Sequence, residues 1–187
     1  EKQLNIIIEE SDRLSGIVED ILNLSQMQAG YTDLKLQRIR IGEMLKGLVK
    51  KYEILSESTG VGIMLDNTPD IYVEGDEARI EQVMYNLVNN AFNHSPEGST
   101  IHIKAMEAGD RVRIEVADSG EGIPHDELQY IWDRFYKADK SGKRKRAGTG
   151  LGLSIVKSIL DAHKTSFGID SQPGLGTTFW FELKICG

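Results

Sequence analysis

The chain has 187 residues, 40% of them hydrophobic and 27% charged, with a formal net charge of −7. That is the composition of a soluble globular protein, long enough for one well-buried core and an appendage. The acidic balance argues against general nucleic-acid binding, which needs basic surface, and no apolar run of about 18 residues marks a membrane span. A single cysteine, Cys186, excludes an internal disulfide and points to a reducing compartment.

In chain order, Leu4, Ile7, Leu14, Val18 and Ile21 recur at helical spacing over residues 1 to about 29, widened by Ile8, Ile17, Leu22 and Leu24, with Gly30 as a stop. So wide a stripe asks for other helices, since an isolated helix is marginal in water. The chain opens at Glu1 inside this pattern, which suggests a piece of something longer. A second helix is predicted over Ile41 to about Ser58, and short strands at Val61–Leu65 and Ile71–Val73. Asp76 is a good N-cap for a third helix reaching about His94, and Ser95-Pro96-Glu97-Gly98 ends it. Thr100–Met106 and Arg111–Ala117 alternate and read as a β-hairpin. A glycine-rich loop at 118–122 leads to a short predicted helix from about Pro124 to Trp132. A basic loop, a helix from Leu151 to about His163 and strands near 166–170 and 177–184 complete the chain. Strands on one side and helices on the other imply an α+β two-layer sandwich.

Three stretches carry candidate chemistry. The third helix has four asparagines in eight positions, although Asn is a mediocre helix former. Asn86, Asn90 and Asn93 share one face, while Leu87, Val88 and Ala91 can face a core. Amide oxygens are hard neutral donors suited to Mg²⁺, though a helix end with solvated asparagines reads the same way. Asp118-Ser119-Gly120-Glu121-Gly122 ends a strand, where an Asp can accept from an exocyclic amine and glycines admit close approach; an Asx turn is the plainer reading. Gly148-Thr149-Gly150-Leu151-Gly152-Leu153 enters a helix. It is neither a P-loop nor the dinucleotide fingerprint, but a glycine-rich helix start offers N–H groups and a positive dipole end to phosphate.

The order of these pieces is more telling than any one of them. Asn-x-x-x-Asn on a helix, Asp-x-Gly-x-Gly, the segment Trp132 to Lys137, Gly-Thr-Gly-Leu-Gly-Leu and finally Gly-x-Gly-Thr at 174–177 together resemble the bacterial sensor histidine kinases. The resemblance covers about residues 34–184, the catalytic domain. Residues 1–30 resemble the second helix of the dimerisation bundle that precedes it, leaving 31–187 as the ATP-binding domain. It implies a mixed, mostly antiparallel sheet with three main helices, the sandwich shared with gyrase, Hsp90 and MutL. It also implies ATP and Mg²⁺ as cofactors. Asp118 would take the adenine amine, helped by Thr177 through water, with Gly120, Gly122 and Ile123 beside the base. Asn90 and Asn86 would hold Mg²⁺ on the phosphates, with Asn93 and His94 next to them. Residues from about 136 to 149 would form a lid, in which Tyr136, Lys137 and Arg144 approach the nucleotide. Gly148, Thr149, Gly150, Leu151, Gly152 and Leu153 would line the phosphate end.

Hydrolysing members of this fold carry a glutamate at position 86 as general base, whereas Asn86 cannot take a proton near neutral pH. The resemblance therefore implies transfer of the γ-phosphate to a histidine, with Lys137 assisting, and onward to an aspartate of a response-regulator receiver domain. That acceptor histidine is expected outside this chain: His125-Asp126-Glu127 imitates its motif but follows Gly122-Ile123-Pro124 and lacks the continuation. The parent protein is expected to dimerise through the bundle, to bind no nucleic acid, and to be the cytoplasmic part of a membrane-anchored sensor. Three rival readings stand beside this one: a catalytically silent nucleotide-binding scaffold, a serine kinase of the anti-sigma type on the same fold, and a nucleic-acid binder using residues 140–146. Asn93 and His94 depart from the family's usual Lys or Arg and Tyr, and His163-Lys164-Thr165 replaces His-Gly-Gly.

Overall fold

The structure, a computed structural model, describes residues 34–66, 68–136 and 150–186. The predicted first helix, the basic run at 140–146, and the site candidates Lys137, Arg144, Gly148 and Thr149 lie outside them.

Five strands form the main sheet in the order β2-β4-β5-β7-β6: β2 Gly62–Leu65, β4 Thr100–Ala108, β5 Arg111–Asp118, β6 Phe167–Gln172 and β7 Gly176–Lys184. β2 runs parallel to β4, and every other pairing is antiparallel. Alternation along the strands puts one side chain in two on a buried face, and the register lines these up in rows. Ala105, Ile114, Phe181 and Phe167 make one row; Ile103, Val116, Phe179 and Ile169 make the next. Phe179 and Phe181 are fully buried there, each contributing about 1.5–3 kcal/mol. The opposite face carries His102, Lys104, Arg113, Glu115 and Trp180, with the Arg113 guanidinium 3.9 Å over the Trp180 ring.

Helices α3, Glu77–His94, and α4, Gly152–Ala162, pack on each other, and α3 also packs on β5. Ile80, Val83, Met84, Leu87, Val88, Ala91 and Phe92 give α3 its buried stripe. Asp76 caps α3 as predicted, its Oδ1 accepting from the Arg79 N–H at 3.2 Å. His163 fastens the far ends of the two helices together. Its Nε2 lies 3.1 Å from the Asp76 N–H, which donates to it, while Nδ1 is 2.8 Å from the Ile159 carbonyl.

Three local differences from the predicted elements have physical causes. The single helix predicted from Ile41 breaks at Tyr52, giving α1, Ile41–Lys51, and α2, Glu53–Thr59. The Tyr52 ring stacks on Phe92 at 5.5 Å and its hydroxyl donates to Asn89 Oδ1 at 3.0 Å, so the side chain is held in the core. α2 then buries nothing and ends at Gly60, in the left-handed region at φ 67. A strand absent from the sequence reading, β1 Gln37–Arg40, pairs antiparallel with β3 Tyr72–Gly75. Only Ile39 of β1 is buried, so no alternation marks it. The helix predicted from Pro124 to Trp132 is instead a series of turns, with i→i+3 bonds from Glu127, Tyr130 and Asp133. A segment this short has little helical stability of its own. Ile131 is buried, and Trp132 packs edge-on against Phe167 and Phe179 at 5.2 and 5.8 Å.

Candidate functional site

Beyond the two apolar rows the buried face of the sheet turns polar. The same register that aligns Val116, Phe179 and Ile169 aligns Asp118, Thr177 and Ser171 two residues on. Asp118 and Thr177 are 8% and 6% exposed, among the few polar residues buried in the described chain. A carboxylate is costly to bury, so it must be compensated. Asp118 Oδ1 accepts from the Gly120 N–H at 2.8 Å, and the Thr177 N–H also hydrogen-bonds this carboxylate. Burial still dominates and pushes the Asp118 carboxyl above its ordinary range, partly offset by these two bonds.

The glycines around this row answer first to backbone packing. A Cβ on Gly122, at φ 69, would run into the Gln172 carbonyl, and one on Gly176, at φ 93, into that of Asp118. A Cβ on Gly120 would sit 2.7 Å from the His94 carbonyl oxygen at the end of α3. The loop 118–122 is thus laced to the β6–β7 turn, with the Gly174 N–H bonded to Glu121 O at 2.7 Å, and pressed against α3. Ile123 is tied in by its N–H to Ser171 Oγ at 2.8 Å. Ser171 was not among the residues singled out from sequence. Its in-phase position with Phe167 and Ile169 was the available signal, but a lone serine in a strand is unremarkable until its neighbours are known.

Of the four asparagines on α3, Asn86 is half-buried and lies against the start of α4: a Cβ on Gly152 would be 3.5 Å from its Oδ1. Its Nδ2 is buried and meets no hydrogen-bond partner among the described residues, which is unusual for an amide. Asn90 is half-buried one turn later on the same face; Asn93 is exposed and His94 half-buried. Asn89, about 60° away around the helix, faces Tyr52 instead. No side chain caps the N-terminus of α4, in contrast with α3. Its first turn lies beside Asn86. Leu151 is buried and Leu153 half-buried, while Gly150, at φ 72, accepts the Phe135 N–H at 2.9 Å. Tyr136 donates to Glu127 at 2.9 Å, and burial with that carboxylate pushes its phenol up to about 12.

The polar row at Asp118, Thr177 and Ser171 thus lies on the sheet, and the Asn86 amide lies beside the start of α4. Residues 75–186 match the family described as histidine kinase-, DNA gyrase B-, and HSP90-like ATPase, and the chain belongs to it. It is 35% identical over 176 residues to the sensor protein IrlS of Burkholderia pseudomallei, covering 94% of this chain and 38% of that protein. To the sensor histidine kinase WalK of Bacillus subtilis it is 36% identical over 176 residues, covering 93% of this chain and 29% of that one. This chain therefore spans well under half of either relative. Among solved structures, full-length ShkA in complex with AMPPNP superimposes with a TM-score of 0.85 at 27% identity, covering 96% of this chain and 38% of that chain. The histidine kinase ThkA in complex with the response regulator TrrA gives 0.75 at 29% identity, covering all of this chain and 51% of that one. The mixed, mostly antiparallel α+β sandwich expected from sequence is the architecture these structures share. No helix among the described residues is long and apolar enough to cross a membrane.

Proposed function

We propose that this chain is the kinase module of a two-component sensor, binding Mg·ATP and passing the γ-phosphate to a histidine outside this chain. From there the phosphate goes to an aspartate of a response-regulator receiver domain, a step suggested by the ThkA–TrrA neighbour. The observation that carries the reading is Asn86, a half-buried amide, its buried Nδ2 without a partner among the described residues, where a hydrolytic enzyme needs a base. An amide neither accepts nor releases a proton at neutral pH, so the site has no group there to activate water.

In this reading Asp118 accepts the adenine amine, and the loop held by Gly120, Gly122 and Ile123 shapes the edge of the base site. Thr177 assists Asp118. The N–H groups of Gly152 and Leu153, with Gly150 and Leu151 preceding them, receive phosphate oxygens at the uncapped start of α4. Asn90 and Asn86 fit Mg²⁺ through their amide oxygens, both being neutral amides on one helix face, and the Asn86 Nδ2 is a donor suited to a phosphate oxygen. The cation would neutralise charge on the transferring phosphate. Asn93, His94, Tyr136, Lys137, Arg144, Gly148 and Thr149 remain assigned to the phosphate side and lid. The parent is read as a homodimer through its helical bundle and as a membrane-anchored sensor with this portion in the cytoplasm.

Three of the four histidines lie away from the proposed site, and only His94 borders its phosphate side. His163 has both ring nitrogens occupied, His102 sits on the open sheet face beside Asp66 at 3.3 Å, and His125 lies in the turn series. This chain should bind Mg·ATP by calorimetry yet take up no acid-labile phosphate from γ-labelled ATP, and labelling should appear once a bundle helix with an acceptor histidine is joined to it. Asn90→Ala should then abolish labelling with the fold intact. Strong acid-labile labelling of this chain alone, or Mg²⁺-independent behaviour throughout, would overturn the reading.

A further inference from the structure

Helices α3 and α4 meet at two places a helix length apart. At one, the imidazole of His163, the C-cap of α4, accepts from the Asp76 N–H at the start of α3, its Nε2 3.1 Å away. At the other, Gly152 opens α4 against Asn86, whose Oδ1 would lie 3.5 Å from a Cβ on that glycine. The pair therefore runs antiparallel. Ten residues separate Asp76 from Asn86 along α3, and eleven separate Gly152 from His163 along α4. At the rise of an α-helix those spans are about 15 and 17 Å, so the two contacts are matched in length. Sliding α4 by one residue would carry its start about 1.5 Å past Asn86 and draw His163 off Asp76 by the same amount.

The pin is directional. The Ile159 carbonyl, 2.8 Å from Nδ1, only accepts, so Nδ1 carries the ring proton and Nε2 keeps the lone pair that receives the Asp76 N–H. The end of α4 that presents this ring is itself held. Lys164 closes the helix in the left-handed region at φ 52, its N–H on Asp161 O at 3.0 Å and the Thr165 N–H on Leu160 O at 3.2 Å. A residue with a side chain resists that conformation and keeps it where its surroundings over-determine it. Here the Thr165 hydroxyl donates to the Glu182 carbonyl on β7 and receives the Arg111 guanidinium from β5 at 3.4 Å. We propose that His163 is a positioning residue for phosphoryl transfer, acting through Asp76 to set the start of α4 against Asn86 and so to place the transferring phosphate. The inference rests on the phosphate site proposed above, where a misplacement of about 1 Å can lower the rate about a hundredfold.

The test uses the chain joined to a bundle helix with an acceptor histidine, following histidine labelling from γ-labelled ATP. His163→Gln puts an amide oxygen near the place of Nε2 and should keep kcat within about threefold of the unaltered protein. His163→Asn keeps a donor for Ile159 but is too short to reach Asp76. It should lower kcat about tenfold or more while KM for ATP changes little, because Asp118 on the sheet still holds the base. Protection of the Asp76 amide against hydrogen exchange should fall in the Asn variant and survive in the Gln variant. Lys164→Gly relaxes the helix cap without touching the pin, and should raise Tm with kcat unchanged. A histidine with a merely structural role would lower the stability of its variants and leave kcat of the folded protein where it was. Equal kcat in the Gln and Asn variants therefore overturns the proposal while leaving ATP binding and labelling in place. Failure of the unaltered protein to bind Mg·ATP or to label its histidine would instead remove the underlying reading as well.

Discussion

Tyr52→Phe removes one oxygen from the core and probes why the first helix breaks. The phenol ring is 3% exposed, stacks on Phe92 and tilts against Tyr85 at 5.8 Å. Its hydroxyl donates to Asn89 Oδ1 at 3.0 Å, with the Tyr85 carbonyl further off at 3.4 Å. Phenylalanine keeps the stacking and loses the bond. Asn89 is only half-buried, so water can reach the abandoned oxygen, which places the cost at the lower end, about 1 kcal/mol. For a domain of this size that is a fall in Tm of about 2–4 °C. Tyr52→Ala also deletes the ring and should cost about 3–5 kcal/mol. Burial raises the Tyr52 phenol well above its ordinary value, so the folded state holds its proton where the unfolded state loses it. Its contribution is complete below the unfolded value of about 10 and is lost progressively as pH rises above it. Denaturant titrations at pH 7 and above pH 10 read both effects: the wild type should weaken more steeply with alkali than Tyr52→Phe. A Tyr52→Phe protein as stable as wild type at pH 7 with the same alkaline slope would refute this account of the helix break.

Asp118→Asn should remove nucleotide binding while making the empty fold more stable at neutral pH, because the buried carboxyl is held above its normal range and its charge opposes folding; calorimetric melting of both forms checks the sign. Asn86→Ala should likewise lose Mg·ATP binding yet gain about 0.5 kcal/mol of stability, since it replaces an unpartnered amide by a better helix former. Chemical denaturation that shows a clear loss would mean Asn86 supports the apo fold after all. Gly122→Ala should destabilise by at least about 1–2 kcal/mol from its positive φ alone, before the backbone around Gln172 shifts to admit the methyl group.

What could be read from the chain was whatever is encoded locally. Asp76 as a cap needs only Arg79 three residues on, and the hairpin at 100–118 needs only alternation and a turn. Asp118, Thr177, Asn86 and Asn90 stood out because their motif order survives without coordinates. β1 was illegible because its single buried side chain, Ile39, is defined by a partner strand more than thirty residues away. Tyr52 looked like one more apolar helix position, and only its contact with Asn89 shows why the helix stops there. Ser171 acquires meaning when β6 is set beside β7, a long-range fact that no spacing rule carries. The supposed helix at 124–132 had helical punctuation but too little length, and Trp132 anchors it from outside.

The two tryptophans divide the sheet between them. Trp132 touches Phe179, one row below Asp118 and Thr177, whereas Trp180 lies on the other face with Arg113 across its ring and Gly168 beneath it. The protein thus carries one intrinsic fluorophore on the side of the sheet that bears the polar row and one insulated from it by the thickness of the sheet. Replacing Trp180 by Phe isolates the first signal, whose emission should report nucleotide occupancy if the proposed base site is right; retaining it supplies the internal reference.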